Sequence, residues 1–301
     1  MRKILGWLAL PIVALTIFPA VAQTKKPKVV ATFLPMYLFT KSVMGNQGQL
    51  EVLVPPGTGA HEYQATPANA KSLSQADVVV MNGLDFEEFM EGLLKNNSNK
   101  KVKVIDASKG ITPLQDKDAK AEKHSHGHNH SHSGGNPHVW LDPVLAVQQV
   151  TNIRNGLVAA DPANGETYKA NATKMIDRLQ ELDRQFKTRL APVKGCKFIA
   201  FHDAFPYLAK RYGLEQKAVV ELPEDALKPQ DIQRVKSAAQ KFQVKALLSE
   251  PGVDDKRLQQ IAKELKLPVK TLDPLESGKL DPDYYFQVMT QNLATLESVC
   301  K

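Results

Sequence analysis

Short apolar runs alternate with amphipathic stretches through the first half of the chain. Four runs rich in β-branched or aromatic residues predict strands: 28–36, 50–54, 77–83 and 101–108. Apolar residues at helical spacing predict helices over 66–76, 85–96 and 144–160, and "HVWLDP" (138–143) predicts a further strand. Strands that alternate with helices predict a parallel sheet with helices on both faces.

A much longer helical pattern follows over 164–193. Its apolar residues lie one, three or four positions apart, at 168, 172, 175, 176, 179, 182, 186 and 190. This spacing places them in one stripe along a helix of about seven turns. A helix of this length between two sets of strands predicts a stiff connector.

The second half repeats the strand–helix alternation. "CKFIAF", "KAVVEL", "VKALLSEPG" and "LPVKTLDP" predict strands, and helices are predicted over 229–242, 254–266 and 281–299. The predicted fold class is therefore α/β, with two lobes of largely parallel sheet flanked by helices and joined by one long helix. The predicted boundaries are 23–160 for the first lobe, 161–192 for the connector and 193–301 for the second lobe.

One segment interrupts this order. Residues 115–137 contain no Val, Leu, Ile or aromatic residue. Such a segment buries too little apolar surface to offset the entropy of ordering it, so we expect a mobile loop.

The first 22 residues have the pattern of a secretory signal peptide. Arg2 and Lys3 precede an apolar stretch, and "AVA" (20–22) is a small-x-small cleavage signal before Gln23. A retained membrane anchor is the alternative, but the run is short and is broken by Pro11 and Pro19. No cysteine follows the cleavage site to carry a lipid anchor. We therefore expect export to the periplasm. We also expect a monomer.

Charge and cysteine content add limits on partners. The formal charge is +7, but the lysines are scattered and no basic stretch is interleaved with aromatic residues, which argues against nucleic acid as a partner. The chain has two cysteines, Cys196 and Cys300. An oxidising compartment would allow them to form a disulfide, and two free buried thiols are the alternative.

The candidate chemistry lies in the histidines. Five of the eight form a tract inside the 115–137 loop, and the other three are His61, His138 and His202. His61 and His202 follow predicted strands, at the carboxyl ends where open α/β sheets bind ligands. Asp273, after another predicted strand, offers a fourth ligand. Three imidazoles and one carboxylate suit tetrahedral Zn²⁺, although each residue taken alone is as easily explained by a structural hydrogen bond, a turn or a cap.

The tract itself alternates histidine with small polar residues. Its members are His124, His126, His128, His130 and His132. Neutral imidazoles on a flexible chain collect borderline cations, so we expect an auxiliary site that captures or senses zinc loosely. A tract that binds metal only by virtue of its composition is the alternative.

Several segments together resemble one known family. "PPGTGAHEYQATP", "NPHVWLDP", "FHDAFPYLAKRYGL", "LSEPGVDDK" and "TLDPL" are similar to the cluster A-I solute-binding proteins of metal ABC importers, specifically the ZnuA-type zinc-uptake proteins. The resemblance implies two lobes joined by a rigid helix, with metal in the cleft between them and a membrane permease as partner. It places the metal ligands at His61, His138, His202 and Asp273. It does not map the family's usual disulfide clearly onto Cys196 and Cys300.

Three alternatives to a zinc carrier stay open at this point. Manganese-binding members of the family commonly have Glu where this chain has His202, which favours zinc here. A periplasmic zinc buffer or an adhesin would act without a permease. A zinc hydrolase would need an open coordination position and a base such as Glu62, Glu221 or Glu250, but the chain has no H-E-x-x-H motif.

Overall fold

The computed structural model describes residues 26–61, 63–115, 135–220, 229–253 and 255–301. The predicted signal peptide and most of the predicted mobile loop, with the five histidines of the tract, lie outside the described residues. The end of that loop, residues 135–137, is buried, and hydrogen bonds hold Asn136, so the prediction of a mobile loop is wrong for this part. Within these ranges no helix is both long enough and apolar enough to span a bilayer.

Two four-stranded parallel sheets form the framework, which confirms the predicted α/β class. The first sheet has the order β2-β1-β3-β4 and the second β6-β5-β7-β8. The strands are β1 (Lys28–Ala31), β2 (Gln49–Val52), β3 (Val78–Met81), β4 (Lys103–Asp106), β5 (Lys197–Ala200), β6 (Glu215–Ala218), β7 (Leu247–Ser249) and β8 (Val269–Thr271). Both sheets therefore have the same doubly wound order, and their strands end toward the site described below.

Nine α-helices accompany these strands in the described part of the chain. They are α1 (Leu34–Met44), α2 (Pro67–Gln75), α3 (Phe89–Asn96), α4 (Pro143–Ala160), α5 (Gly165–Leu190), α6 (Pro206–Tyr212), α7 (Pro229–Phe242), α8 (Lys256–Leu265) and α9 (Pro282–Cys300). Several have a proline in the first helical turn, a position that tolerates its missing N–H.

The predicted connector is the 26-residue helix α5. Its apolar stripe is buried from Tyr168 to Leu190, as the spacing predicts. The helix packs against α1, α4 and α9, the last helix. One hydrophobic core runs along it and contains residues from both halves of the chain. The two sheets therefore share a common core.

Two local predictions are wrong. The run over 28–36 is not one strand: β1 ends at Ala31 and helix α1 begins at Leu34. Helix α1 is buried nearly all round, so its sequence has no polar face to reveal it. The segment "HVWLDP" forms a 3₁₀ turn over Val139–Leu141 instead of a strand. Prolines 137 and 143 bracket that turn, and Asp142 ends it by capping α4.

The two cysteines form a disulfide. Cys196 precedes β5 and Cys300 ends α9, and their Cα atoms lie 5.6 Å apart across 104 residues of sequence. The bond fixes the end of α9 to the sheet of the second half.

Replacing both cysteines by serine should lower the free energy of unfolding by about 2–5 kcal/mol. The physical reason is that the bond closes a long loop and so restricts the unfolded chain. Urea denaturation of the double variant and the oxidised wild type measures the difference. Reduced wild-type protein is the matched control and should behave like the variant; a difference within about 0.5 kcal/mol would contradict the prediction.

Candidate metal centre

Four side chains from separate parts of the chain meet between the two sheets. They are His61, His138, His202 and Glu276, and one donor atom from each lies within 4.8 Å of the other three. His61 follows β2, His202 follows β5, and Glu276 follows β8, so these three lie beyond the carboxyl ends of parallel strands. His138 precedes the 3₁₀ turn that leads into α4.

Five of the six distances between the donor atoms are close to the edge of a tetrahedral coordination shell. Nε2 of His138 lies 3.3 Å from Nε2 of His61 and 3.2 Å from Nε2 of His202. Oε1 of Glu276 lies 3.1, 3.3 and 3.4 Å from Nε2 of His61, His138 and His202, respectively. A tetrahedron whose corners lie about 2.0 Å from its centre has edges of about 3.3 Å, and 2.0–2.2 Å is the usual Zn–N and Zn–O bond length. The four atoms therefore match a zinc coordination shell.

The site is closed off from solvent. At most 8% of any of the four side chains is exposed. Aromatic rings form one wall: Phe86 packs edge-on against His61 with ring centroids 4.9 Å apart, and Trp140 lies 5.1 Å from His138. Such surroundings exclude water and favour neutral ligands or a compensated charge.

Trp140 also connects the first half of the chain to the segment that carries Glu276. Its indole N–H donates a hydrogen bond to the carbonyl of Pro274 (2.8 Å), and its own carbonyl accepts one from the Tyr285 hydroxyl (2.8 Å). Asp142, which caps α4, accepts hydrogen bonds from Nε of Arg211 on α6 at both of its carboxylate oxygens, Oδ1 (2.6 Å) and Oδ2 (2.5 Å). These contacts hold the His138 segment and the Glu276 segment in a fixed relation.

A carboxylate behind His202 sets the orientation of its ring. Oε2 of Glu250 lies 2.6 Å from Nδ1 of His202, and Oε1 of the same residue accepts the His202 backbone N–H (3.0 Å). Because a carboxylate accepts only, Nδ1 carries the proton, and Nε2 is the atom directed at the cluster. Glu250 follows β7, the strand beside β5, so the pairing of these strands places it there.

The charge states of the metal-free cluster are strongly shifted. Burial lowers the pKa of His138 to about 3, which keeps that ring neutral. Burial also disfavours the charged form of His202, but the carboxylates of Glu250 and Glu276 outweigh it and raise the pKa of His202 to about 10. Burial would raise the pKa of Glu276, yet His61 and His202 bring it well below the usual value. The cluster thus holds an ionised carboxylate beside neutral and protonated imidazoles.

The structure brings together the three predicted histidines but places Glu276, and not Asp273, in the group of four. Oδ1 of Asp273 accepts the backbone N–H of Leu275 (2.7 Å), and the Asp273 backbone is held by the side chain of Asn292 on α9. Burial, with Glu250 and Glu276 nearby, raises the pKa of Asp273 to about 6. Asp273 thus shapes the turn that presents Glu276. Sequence reasoning missed Glu276 because it lies three residues past the strand-end aspartate.

Comparisons with known proteins identify the family. The ZnuA family, described as "Zinc-uptake complex component A periplasmic", matches residues 29–299. The high-affinity zinc uptake system protein ZnuA of Bacillus subtilis is 35% identical over 277 residues, which cover 90% of this chain and 87% of that protein.

Two streptococcal proteins are similar as well. The zinc-binding lipoprotein AdcA of Streptococcus pneumoniae is 33% identical over 90% of this chain, which spans only 55% of AdcA. The crystal structure of Zn(II)-bound AdcA superposes with a TM-score of 0.78 at 31% identity, covering 91% of this chain and 58% of that one.

The laminin-binding protein Lmb of Streptococcus agalactiae has a TM-score of 0.80 at 28% identity, with 91% of this chain and all of that chain covered. It is described as a bifunctional protein with adhesin and metal-transporting activity. The match over residues 29–299 and the identity to ZnuA settle the family: this chain belongs to the ZnuA family of zinc-uptake binding proteins.

Proposed function

We propose that this protein binds Zn²⁺ at His61, His138, His202 and Glu276 and delivers it to the permease of an ABC-type importer. The tetrahedral spacing of four donor atoms, 3.1–3.4 Å in the five measured pairs, carries the proposal. Family membership and the zinc-uptake role of ZnuA in Bacillus subtilis support the transport part.

The donor set favours zinc over manganese. Imidazole nitrogen suits Zn²⁺, whereas Mn²⁺ prefers oxygen donors in six-fold coordination. A tetrahedral site of three imidazoles and one carboxylate provides a single oxygen donor and four positions, fewer of both than Mn²⁺ prefers. We therefore propose Zn²⁺ as the cargo.

The same donor set argues for a carrier in preference to a zinc hydrolase. Catalytic zinc keeps a position open for water, whereas four protein donors fill a tetrahedral shell. Of the three residues considered as a general base, Glu250 pairs with His202. Glu62 and Glu221 lie outside the described residues.

Two further parts of the proposal concern segments outside the described residues. We propose that residues 1–22 direct export, so that the carrier acts outside the cytoplasm, in keeping with the family's periplasmic description. We also propose that the tract His124–His132 gathers zinc near the carrier, because neutral imidazoles that alternate with small polar residues collect borderline cations.

Deleting the gene should make growth strictly zinc-dependent in chelated medium. Uptake of radioactive zinc should fall, and a plasmid copy of the wild type should restore it, whereas a His138→Ala copy expressed at the same level should not. A periplasmic buffer or an adhesin without a permease predicts mild sensitivity and unchanged initial uptake. Unchanged uptake in the deletion strain would therefore overturn the transport proposal.

A further inference from the structure

A single amide connects two of the candidate ligands across the two halves of the molecule. Asn136 lies two residues before His138 and is 5% exposed. Its Oδ1 accepts the backbone N–H of His138 (3.1 Å) and lies 3.0 Å from the ring atom Nδ1 of His138. Its Nδ2 donates to the backbone carbonyl of Asp203 (2.7 Å) and to Oδ2 of Asp203 (3.2 Å). Asp203 directly follows His202 in the second half.

The orientation of this amide follows from its partners. A backbone N–H can only donate, so the atom facing His138 must be the amide oxygen. A backbone carbonyl can only accept, so the atom facing Asp203 must be the amide nitrogen. The ring atom Nδ1 of His138, which faces the oxygen, must therefore carry the proton. The lone pair of the neutral ring is then on Nε2, the atom 3.2 Å from Nε2 of His202.

The backbone of Asn136 is held as firmly as its side chain. Its N–H donates to the carbonyl of Leu114 (2.9 Å), and its carbonyl accepts the hydroxyl of Tyr207 on α6 (2.6 Å). On the far side, Oδ1 of Asp203 accepts from Nε2 of Gln216 on β6 (2.5 Å). A continuous chain of hydrogen bonds thus runs from His138 through Asn136 and Asp203 to the second sheet.

We propose that Asn136 is a positioning residue for metal binding, whose amide fixes the tautomer of His138 and its spacing from His202. This inference rests on the proposed zinc site. The arrangement requires one acceptor toward His138 and one donor toward Asp203, and an amide supplies both within one side chain. Partners of this kind behind metal-binding histidines typically contribute 10- to 100-fold in metal affinity.

A carboxylate at position 136 should not replace the amide. It would still accept from His138, but its second oxygen would face the backbone carbonyl of Asp203 (2.7 Å) and Oδ2 of Asp203 (3.2 Å), two acceptors to which the amide nitrogen now donates. Changing Asp203 to Asn would restore a donor opposite the new carboxylate at the side chain, whereas the backbone carbonyl of residue 203 would still face it as an acceptor. The structure therefore predicts that Asn136→Asp is harmful alone and is partly rescued by Asp203→Asn.

Competition of Zn²⁺ against a fluorescent chelator tests this in the full chain. We expect Asn136→Ala and Asn136→Asp to weaken zinc binding by about 10- to 100-fold, and Asn136→Asp/Asp203→Asn to bind more tightly than Asn136→Asp but less tightly than the wild type. Asp203→Asn alone is the matched control and should lose less than Asn136→Asp. Thermal unfolding of each metal-free variant reports any general loss of stability.

Three outcomes would separate the possibilities. Single variants that bind zinc within threefold of the wild type would overturn the positioning role while leaving the zinc site intact. A double variant that binds as weakly as Asn136→Asp, at equal thermal stability, would overturn it as well. If the wild type itself shows no tight 1:1 binding, the proposed function fails, and this inference fails with it.

Discussion

Replacing His138 by alanine should weaken zinc binding by more than about 100-fold. Loss of a residue that only hydrogen-bonds to a metal ligand typically costs about 10- to 100-fold in metal affinity, so loss of the ligand itself should cost more. The variant removes one of four donors from a buried cluster in which no donor-to-donor distance measured exceeds 3.4 Å. Three donors and a water would remain, at a position lined by the rings of Phe86 and Trp140. Calorimetric titration or competition against a chelator of known affinity measures the loss.

The matched comparison is a variant in which all five histidines of the tract are replaced by serine. It removes five imidazoles where His138→Ala removes one, but none of the five belongs to the cluster of four. We expect this variant to keep one tightly bound Zn²⁺ per chain with unchanged affinity and to lose only the weaker additional binding. Loss of the tight site in the serine variant, or its survival in His138→Ala, would place the principal site in the tract.

The histidines of the site could be predicted from the positions of two of them after strands and from the small number of histidines in the chain. Parallel strands end along one edge of their sheet, so His61 after β2 lies at that edge of the first sheet and His202 after β5 lies at that edge of the second. The chain has only three histidines outside the tract, so there were few candidate metal ligands to consider. The periodicity of the long helix likewise predicted which face of α5 is buried.

Other features depend on local geometry that leaves no periodic pattern of apolar and polar residues in the sequence. The 3₁₀ turn over Val139–Leu141 was predicted to be a strand because a short run of apolar residues is compatible with either structure. The roles of Asn136 and Glu250 arise from contacts between segments 48 or more residues apart. Such hydrogen bonds exist only once the two sheets are placed around their common core.

The fourth ligand is the clearest case. An aspartate followed by proline after a strand suits a turn as well as a metal site. Here Asp273 accepts the N–H of Leu275, and Leu275 has a left-handed backbone with φ of 64°. That conformation is uncommon outside glycine and reverses the chain sharply. The turn carries Glu276 back toward the histidines, and no periodic pattern in the sequence predicts this turn.

Exchanging these two carboxylates for neutral side chains should therefore have very different effects. Glu276→Ala should weaken zinc binding by more than about 100-fold, because it removes both a donor atom and the negative charge beside three imidazoles. This exceeds the 10- to 100-fold loss that is typical when only a hydrogen-bonding partner of a ligand is removed. Asp273→Asn should cost less than about tenfold, since one amide oxygen can still accept the Leu275 N–H in the turn. Competition against a chelator of known affinity, with both variants at one pH, measures the two effects.

The two variants also control for each other, because both remove one negative charge from the same segment. A loss that came only from reduced charge near the cluster would be similar in both, so the difference between them reports direct coordination. Equal losses in both, or a larger loss in Asp273→Asn, would return Asp273 to the coordination shell. A Glu276→Asp variant sharpens the comparison: it keeps the charge but shortens the reach to the three Nε2 atoms, so coordination predicts a clear loss and electrostatics alone predicts none.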